Sequence, residues 1–115
     1  MKVIIAGGRD FEDYYLLCQK VEKILSRQDE VEIVSGTAKG ADKLGELYAH
    51  EHGHQIKRFP ADWGSFGKKA GYIRNEEMAE YADALIAFWN GESKGTKHMI
   101  DIANNNELKV RVITY

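Results

Sequence analysis

The chain has 115 residues, 43% hydrophobic and 30% charged, so it can bury a core, and we expect one globular domain over residues 1–115. Its formal net charge of −2 excludes a general electrostatic attraction to DNA or RNA, which only a local basic patch would supply. No apolar run could span a membrane, the N-terminus lacks the apolar region of a signal peptide, and the single cysteine cannot form an internal disulfide, so we expect a cytoplasmic protein.

Five short runs of residues predict β-strands. They are Val3–Ala6, Val31–Val34, Gln55–Phe59, Ala84–Phe88 and Val110–Thr114. The first, second and fourth are mostly apolar without a clean alternation, which is typical of strands covered on both faces.

Apolar residues at helical spacing predict a helix after each of the first four strands. The stripes are Tyr14, Leu17, Cys18, Val21, Ile24 and Leu25, then Ala41, Leu44, Leu47 and Tyr48, then Met78, Tyr81 and Ala82, and last Met99, Ile102 and Ala103. Cys18 lies on an apolar helix face, so we interpret it as a core residue rather than a nucleophile. Alternating strands and helices predict a parallel three-layer α/β sandwich, in which ligands bind beyond the carboxyl ends of the strands.

The loop after the first strand is GGRDF, Gly7 to Phe11. Gly7 and Gly8 allow the backbone to approach a ligand, Arg9 adds a positive charge, and Asp10 can cap the next helix. The G-x-G-x-x-G dinucleotide fingerprint is absent, so the loop does not predict a standard NAD site.

The loop after the second strand is SGTAKGAD, which supplies Ser35, Gly36, Thr37, Lys39, Gly40 and Asp42. Exposed backbone N–H groups at the start of a helix suit a phosphate. A tight strand-to-helix turn capped by Ser35 or Thr37 explains the same residues, and both interpretations stay open at this point.

The segment HEHGH, His50 to His54, has three alternating histidines. We expect Gly53 to end the helix between them, so that they do not share a face. The sequence therefore predicts no metal site, and no cofactor is predicted elsewhere in the chain.

The segment after the third strand is PADWGSFGKKAGYIRN, Pro60 to Asn75. Its length and glycine content are typical of a lid or a binding loop. Trp63 could stack on a base or pack against the core, and for Phe66 we expect packing.

The loop after the fourth strand is NGESKGT, which supplies Asn90, Gly91, Ser93, Gly95 and Thr96. It lacks the G-K-[ST] of a Walker loop, but it combines flexible backbone, two hydroxyls and a helix N-terminus. We therefore interpret it as a phosphate-holding turn. Seven of the sixteen basic residues fall in or next to these four loops: Arg9, Lys39, Lys68, Lys69, Arg74, Lys94 and Lys97. This clustering favours an anionic small ligand.

Together, GGRDF, SGTAKGAD, ADW…GKKAGYIRN and FWNGESKGT resemble the YspA-like branch of the SLOG superfamily, from about Lys2 to Val112. That superfamily groups Rossmann-like proteins related to the Lonely Guy phosphoribohydrolases and the Smf/DprA DNA-uptake proteins. The resemblance implies an α/β fold, a Rossmann-like three-layer sandwich with a mainly parallel five-stranded sheet, and a pocket for a nucleotide-derived molecule. By the same resemblance the pocket is bordered by Gly7, Gly8, Arg9, Ser35, Gly36, Lys39, Gly40, Asp42, Arg74 and Asn75, and its phosphate end by Gly91, Ser93, Gly95 and Thr96.

The sequence departs from the Lonely Guy pattern at one position. Those enzymes carry a glutamate three residues after the threonine of the G-T turn, and its carboxylate takes part in glycosidic cleavage. Counting from Thr96, the equivalent residue is Met99, and Asp101 lies about 200° around the helix from it. The resemblance therefore keeps the phosphate-holding turn, whereas the glutamate that takes part in cleavage is missing.

Three hypotheses follow. The leading one is a protein that binds or senses a nucleotide-derived molecule such as ADP-ribose, an NAD-related molecule or a signal nucleotide, in stress or phage–host conflict signalling. The alternative is a nucleotide N-glycosidase or phosphoribohydrolase that uses Asp10, Asp42 or Asp62. A single-stranded nucleic-acid-binding module is the third, which the net charge disfavours. Tyr48 and Tyr81 could also pack against a second copy in a homo-oligomer.

Overall fold

The computed structural model describes residues 1–115, which form five strands and five α-helices. The strands are β1 (Lys2–Gly7), β2 (Glu32–Ser35), β3 (Gln55–Arg58), β4 (Ala84–Trp89) and β5 (Lys109–Thr114). The helices are α1 (Tyr14–Leu25), α2 (Ala41–His52), α3 (Trp63–Phe66), α4 (Ala70–Tyr81) and α5 (Lys94–Asn105), with a 3₁₀ turn at Gly67–Lys69. All five predicted strands are present, and no strand end differs from its prediction by more than one residue.

The five strands form one sheet in the order β3-β2-β1-β4-β5, and every neighbouring pair is parallel. The chain builds outward from β1 to β3 and then returns to the other side of β1 to add β4 and β5. The direction of building therefore reverses between β1 and β4. In open parallel sheets this reversal is where a crevice forms beyond the strand ends.

Two apolar layers cover the two faces of the sheet, which confirms the Rossmann-like three-layer sandwich. Successive side chains of β1 point to opposite faces, so Ile5 packs with Leu17 and Val21 of α1, whereas Ile4 packs with Met78 of α4. Four consecutive residues of β1 and five of β4 are buried, as expected for strands covered on both sides.

Helix α2 buries most of its predicted stripe, because Ala41 and Tyr48 lie in the core and Leu44 packs against it, but Leu47 does not. Leu47 is 41% exposed, whereas Asp42 and Glu46 are buried. Gly45 explains the difference, because a Cβ on it would lie 2.8 Å from Cβ of Ile5. The helix backbone therefore packs directly on β1, and its rotation about that contact turns Leu47 towards solvent.

The two tyrosines proposed for self-association, Tyr48 and Tyr81, both have partners within the chain. Tyr48 is only 3% exposed and packs in the core, so it is not free to contact a second copy. The Tyr81 hydroxyl donates a hydrogen bond to Glu32. Gly53 ends α2 with a φ of 73°, which confirms the predicted helix end between His52 and His54.

Residues 60–75 are mostly helical rather than a long loop. Asp62 caps α3 by accepting a hydrogen bond from the Ser65 backbone N–H at 3.1 Å, and α4 already begins at Ala70. Phe66 is 50% exposed, so its predicted packing against the core is wrong. None of the helices is both long and apolar enough to cross a membrane.

Candidate functional site

A cavity of about 490 Å³ opens at the carboxyl ends of β1 and β4, where the order of the strands reverses. This volume is typical of small-molecule sites. The predicted residues that line it are Gly7, Gly8, Arg9, Asp10, Asp42, Trp63, Arg74, Asn75, Ser93, Gly95 and Thr96. The predicted residues outside its lining are Ser35, Gly36, Thr37, Lys39, Gly40, Asp62, Asn90 and Gly91.

The β1 wall of the cavity requires residues without side chains. A Cβ on Gly7 would lie 2.9 Å from Cβ of Ala41, so glycine allows the end of β1 to contact the start of α2. A Cβ on Gly8 would lie 2.6 Å from Oδ1 of Asp10. The Gly8 carbonyl accepts a hydrogen bond from the Ala41 backbone N–H at 3.2 Å, which ties the β1 loop to α2.

Ser35 and Thr37 belong to a buried network beside the cavity. The Ser35 hydroxyl donates to Glu46 Oε2 at 2.6 Å and accepts from the Thr37 backbone N–H at 3.0 Å. Arg58 Nε donates to Glu46 Oε1 at 2.9 Å. Burial raises the pKa of Glu46, but the hydrogen bonds from Ser35 and Arg58 outweigh it and leave that pKa below its usual value. These contacts fix the course of the loop after β2.

Arg74 joins three parts of the site. Its Nη1 donates to the Gly36 carbonyl, and its Nε donates to Asn75 Oδ1 at 3.0 Å. Asn75 Nδ2 in turn lies 3.4 Å from the Gly95 carbonyl at the start of α5. Gly36 therefore shapes the site through its carbonyl, while its α-carbon is covered by Arg74 and Asp42.

Asp42 is the buried acid of the cavity. It is 5% exposed, and its Oδ2 accepts a hydrogen bond from the Ala38 backbone N–H at 3.1 Å. Burial raises its pKa to about 6, although the Ala38 N–H and the Arg74 charge both oppose the rise. Burial also lowers the pKa of Arg74; Asp42 opposes that change and Arg9 adds to it. A carboxyl group that titrates near neutral pH can hold or release a proton in this cavity.

The other two candidate acids differ in position. Asp10 lines the cavity and accepts a hydrogen bond from the Tyr115 hydroxyl at 2.5 Å. Asp62 lies outside the lining and caps α3. Lys39 is exposed and also lies outside the lining.

The turn before α5 is held by its own side chains. Asn90 Oδ1 accepts hydrogen bonds from the backbone N–H groups of Glu92 and Ser93, at 2.8 and 2.9 Å. Ser93 Oγ caps the helix by accepting from the Thr96 backbone N–H at 3.3 Å.

The first two N–H groups of α5, on Lys94 and Gly95, have no acceptor within the chain. Asn90 and Gly91 therefore shape the turn, whereas Ser93, Gly95 and Thr96 face the cavity. The phosphate-holding role of the turn stays a prediction.

Met99 lies in the cavity wall at the position where the resembled enzymes have a glutamate. It is 1% exposed and offers only a thioether. Asp101 is exposed and pairs with Lys97 Nζ at 2.8 Å, so its carboxylate points away from the cavity. Asp101 also lies outside the cavity lining.

The first 66 residues, more than half of the chain, match the family model described as the YspA, cpYpsA-related SLOG family. The chain belongs to this family. It is also 35% identical over 104 residues to the Gene 61 protein of Mycobacterium phage D29, with 84% of this chain and 83% of that protein covered. No solved structure matches. Membership in the SLOG family is consistent with nucleotide-related binding or glycosidase-type activity.

Two polar side chains of this SLOG protein, Lys68 and Tyr72, line the cavity without having been among the predicted site residues, although Lys68 belongs to the basic cluster noted in the sequence. Lys68 and Tyr72 both reach it from the segment that carries Trp63. The signal was present, because an aromatic residue and a lysine stand in the same glycine-rich stretch. The direction of the two side chains could not be predicted, because it depends on how the chain turns between α3 and α4, where the structure has a 3₁₀ turn.

Proposed function

We propose that this SLOG protein binds a nucleotide-derived small molecule in the cavity between β1 and β4. The observation that carries the proposal is a pair of cations in the lining, Arg9 and Lys68, neither of which forms a salt bridge within the chain. An anionic ligand would supply the missing partners. The backbone N–H groups of Lys94 and Gly95, which have no acceptor within the chain, add partial positive charge beside Ser93 and Thr96.

Binding without cleavage is favoured by the chemistry of the α5 wall. Met99 has no charge with which to stabilise a developing oxocarbenium ion, and Asp101 is directed to solvent. In this proposal the protein senses or sequesters ADP-ribose, an NAD-related molecule or a signal nucleotide. We propose stress or phage–host conflict signalling as its setting, for which the similarity to a phage protein supports only the link to phages.

A panel of nucleotides tests the proposal directly. We expect at least one of AMP, ADP, NAD, ADP-ribose and cyclic nucleotides to raise the melting temperature, because a ligand that binds only the folded state stabilises it. At 100 times its Kd, a ligand adds about 2.7 kcal/mol. Native mass spectrometry of freshly purified protein would identify a ligand that co-purifies. No shift with any nucleotide, together with an empty cavity, would refute the proposal.

Arg9→Gln and Lys68→Gln provide the matched comparison for this panel. Each removes one charge from the cavity lining and should reduce the shift, whereas Lys43→Gln removes a charge outside the lining and should not. Retention on single-stranded DNA at increasing salt would separate the nucleic-acid alternative, because phosphate-backbone binding weakens steeply with salt.

The enzyme alternative is favoured by one observation, the buried Asp42 with its raised pKa. In such a reaction the C1′–N bond of a nucleotide breaks, water supplies the hydroxyl to C1′, and the base leaves with a proton. Asp42 would donate that proton while neutral or stabilise the ribosyl cation while ionised.

Incubation with nucleoside monophosphates and NAD, followed by chromatography for free base, tests this alternative. Asp42→Asn should abolish base release, and Asp62→Asn, outside the lining, should leave it unchanged. Asp10→Asn is the second acid to test. Base release that survives Asp42→Asn, Asp10→Asn and Asp62→Asn alike would refute an aspartate-dependent mechanism.

A further inference from the structure

Two large aromatic side chains of the cavity lining are about half exposed. Trp63 is 51% exposed and Tyr72 is 44% exposed, and both line the cavity. Exposed aromatic surface is unfavourable in water, so two such rings in one cavity indicate an apolar part of a ligand. From these residues we infer an aromatic clamp, formed by Trp63 and Tyr72, that holds the base of the nucleotide. The inference rests on the proposed function.

The indole of Trp63 lies close to the first turn of α4. A Cβ on Gly71 would lie 3.5 Å from Cη2 of the indole, an ordinary van der Waals distance, so the ring lies against the helix at this point. No other aromatic ring pairs with the indole, and its Nε1 donates no hydrogen bond within the chain. The ring therefore has both a free surface and a free donor.

The ring of Tyr72 packs against the ring of His98. Their ring centroids are 4.4 Å apart at an interplanar angle of 57°. His98 Nδ1 lies 3.2 Å from Asn75 Nδ2, so the histidine is itself fixed to the network around Arg74. Tyr72 thus has a fixed position and a free side.

The positive charges of the lining would bind the phosphate of a nucleotide whose base is held by Trp63 and Tyr72. Lys68 lies between Trp63 and Tyr72 in the chain, and Arg9 reaches the cavity from the β1 loop. Arg9 and Lys68, which have no carboxylate partner, suit an anionic phosphate, as in a nucleoside monophosphate or a pyrophosphate-linked nucleotide. Stacking on the rings would recognise the base, and the cations would recognise the phosphate.

Calorimetric titration with AMP, ADP-ribose and ribose 5-phosphate tests the clamp. We expect Trp63→Ala and Tyr72→Ala each to weaken nucleotide binding by roughly 10- to 100-fold. The affinity for ribose 5-phosphate, which has no base, should change less than about twofold, because the lost interaction is stacking. Trp63→Phe and Tyr72→Phe keep a ring and should retain most of the nucleotide affinity.

Phe66→Ala is the matched control, because Phe66 is 50% exposed on the same short helix but lies outside the lining. It should bind every ligand like the wild type. Nucleotides should also quench the indole fluorescence of the wild type but not that of Trp63→Phe, which retains Trp89. Melting temperatures of all variants identify any that fail to fold.

The outcomes separate the clamp from the function beneath it. If the wild type binds no nucleotide, both the proposed function and the clamp are refuted. If the wild type binds nucleotides and the alanine variants bind them equally well, the clamp alone is wrong. A loss of the same size for ribose 5-phosphate as for the nucleotides would also refute it, because the two rings would then not be recognising the base.

Discussion

Replacing Gly40 by alanine is expected to lower the free energy of unfolding by about 3 kcal/mol, since the backbone strain there costs 1–3 kcal/mol before any clash. Gly40 precedes α2 with φ 87° and ψ −128°, a conformation essentially restricted to glycine. A Cβ there would also meet the Gly8 carbonyl oxygen and lie 2.8 Å from the Arg9 carbonyl carbon. The variant must either strain its backbone or displace the β1 loop from the cavity.

Urea unfolding measures this loss, and Gly53→Ala is the control. Gly53 also has a positive φ, 73°, but a Cβ on it would meet nothing within 4 Å. Its substitution should cost about 1 kcal/mol from backbone conformation alone. Equal losses in the two variants would contradict the clash with the β1 loop, and the expected difference would assign Gly40 a part in shaping the cavity.

Replacing Asp42 by asparagine is expected to stabilise the protein at pH 8 by about 3 kcal/mol, since each unit of pKa shift corresponds to 1.36 kcal/mol. Burial raises the folded-state pKa of Asp42 from 3.8 to about 6. The folded protein therefore binds this proton more tightly than the unfolded chain does. The wild type loses stability as pH rises from about 4 to about 6, and above that window the full cost of the buried charge is present.

Asparagine removes this cost because its side chain stays neutral and its oxygen can still accept the Ala38 N–H. Urea unfolding at pH 4 and pH 8 should show similar stabilities at the lower pH and a stabilised variant at the higher one. Asp62→Asn, at an exposed position, serves as the control, and a divergence of the same size in both variants would contradict burial as its cause. A variant of Asp42 that is less stable than the wild type at pH 8 would contradict the raised pKa.

The expected stability of Asp42→Asn also bears on the enzyme alternative. If Asp42→Asn is folded and stabilised, a loss of base release in the same variant cannot come from unfolding. A buried charge that destabilises the fold is a frequent property of functional acids, because natural proteins keep such groups for their chemistry.

The sheet could be predicted from the sequence because β1, β2 and β4 are short apolar runs bounded by glycine or polar residues. The same patterns identified the four loops that follow the strands. All four loops, with the helix turns that follow them, contribute to the cavity lining through residues such as Gly8, Asp42, Arg74 and Gly95. The strand ends determine which loops meet at the cavity, and strand ends can be predicted from the local sequence.

The direction of each loop side chain could not be predicted in the same way. Ser35 points to Glu46, eleven residues later, because both are buried and need hydrogen-bond partners. Asn90 instead accepts from two N–H groups of its own turn. Leu47 is exposed because Gly45 contacts β1, a tertiary contact with no periodic signature. Tyr72 lines the cavity from the first turn of α4, which begins directly after a 3₁₀ turn.

The pairing of β1 with β4 also has a consequence for how the protein folds. Val3 lies beside Ala84, and Gly7 beside Phe88, so the two central strands meet only after most of the chain has been made. Contacts between such distant residues close a long loop and slow folding. The cavity lies at this junction, so its walls come together only when both halves of the sheet have joined. A ligand bound there would therefore report on, and resist, the opening of the whole molecule rather than of one loop.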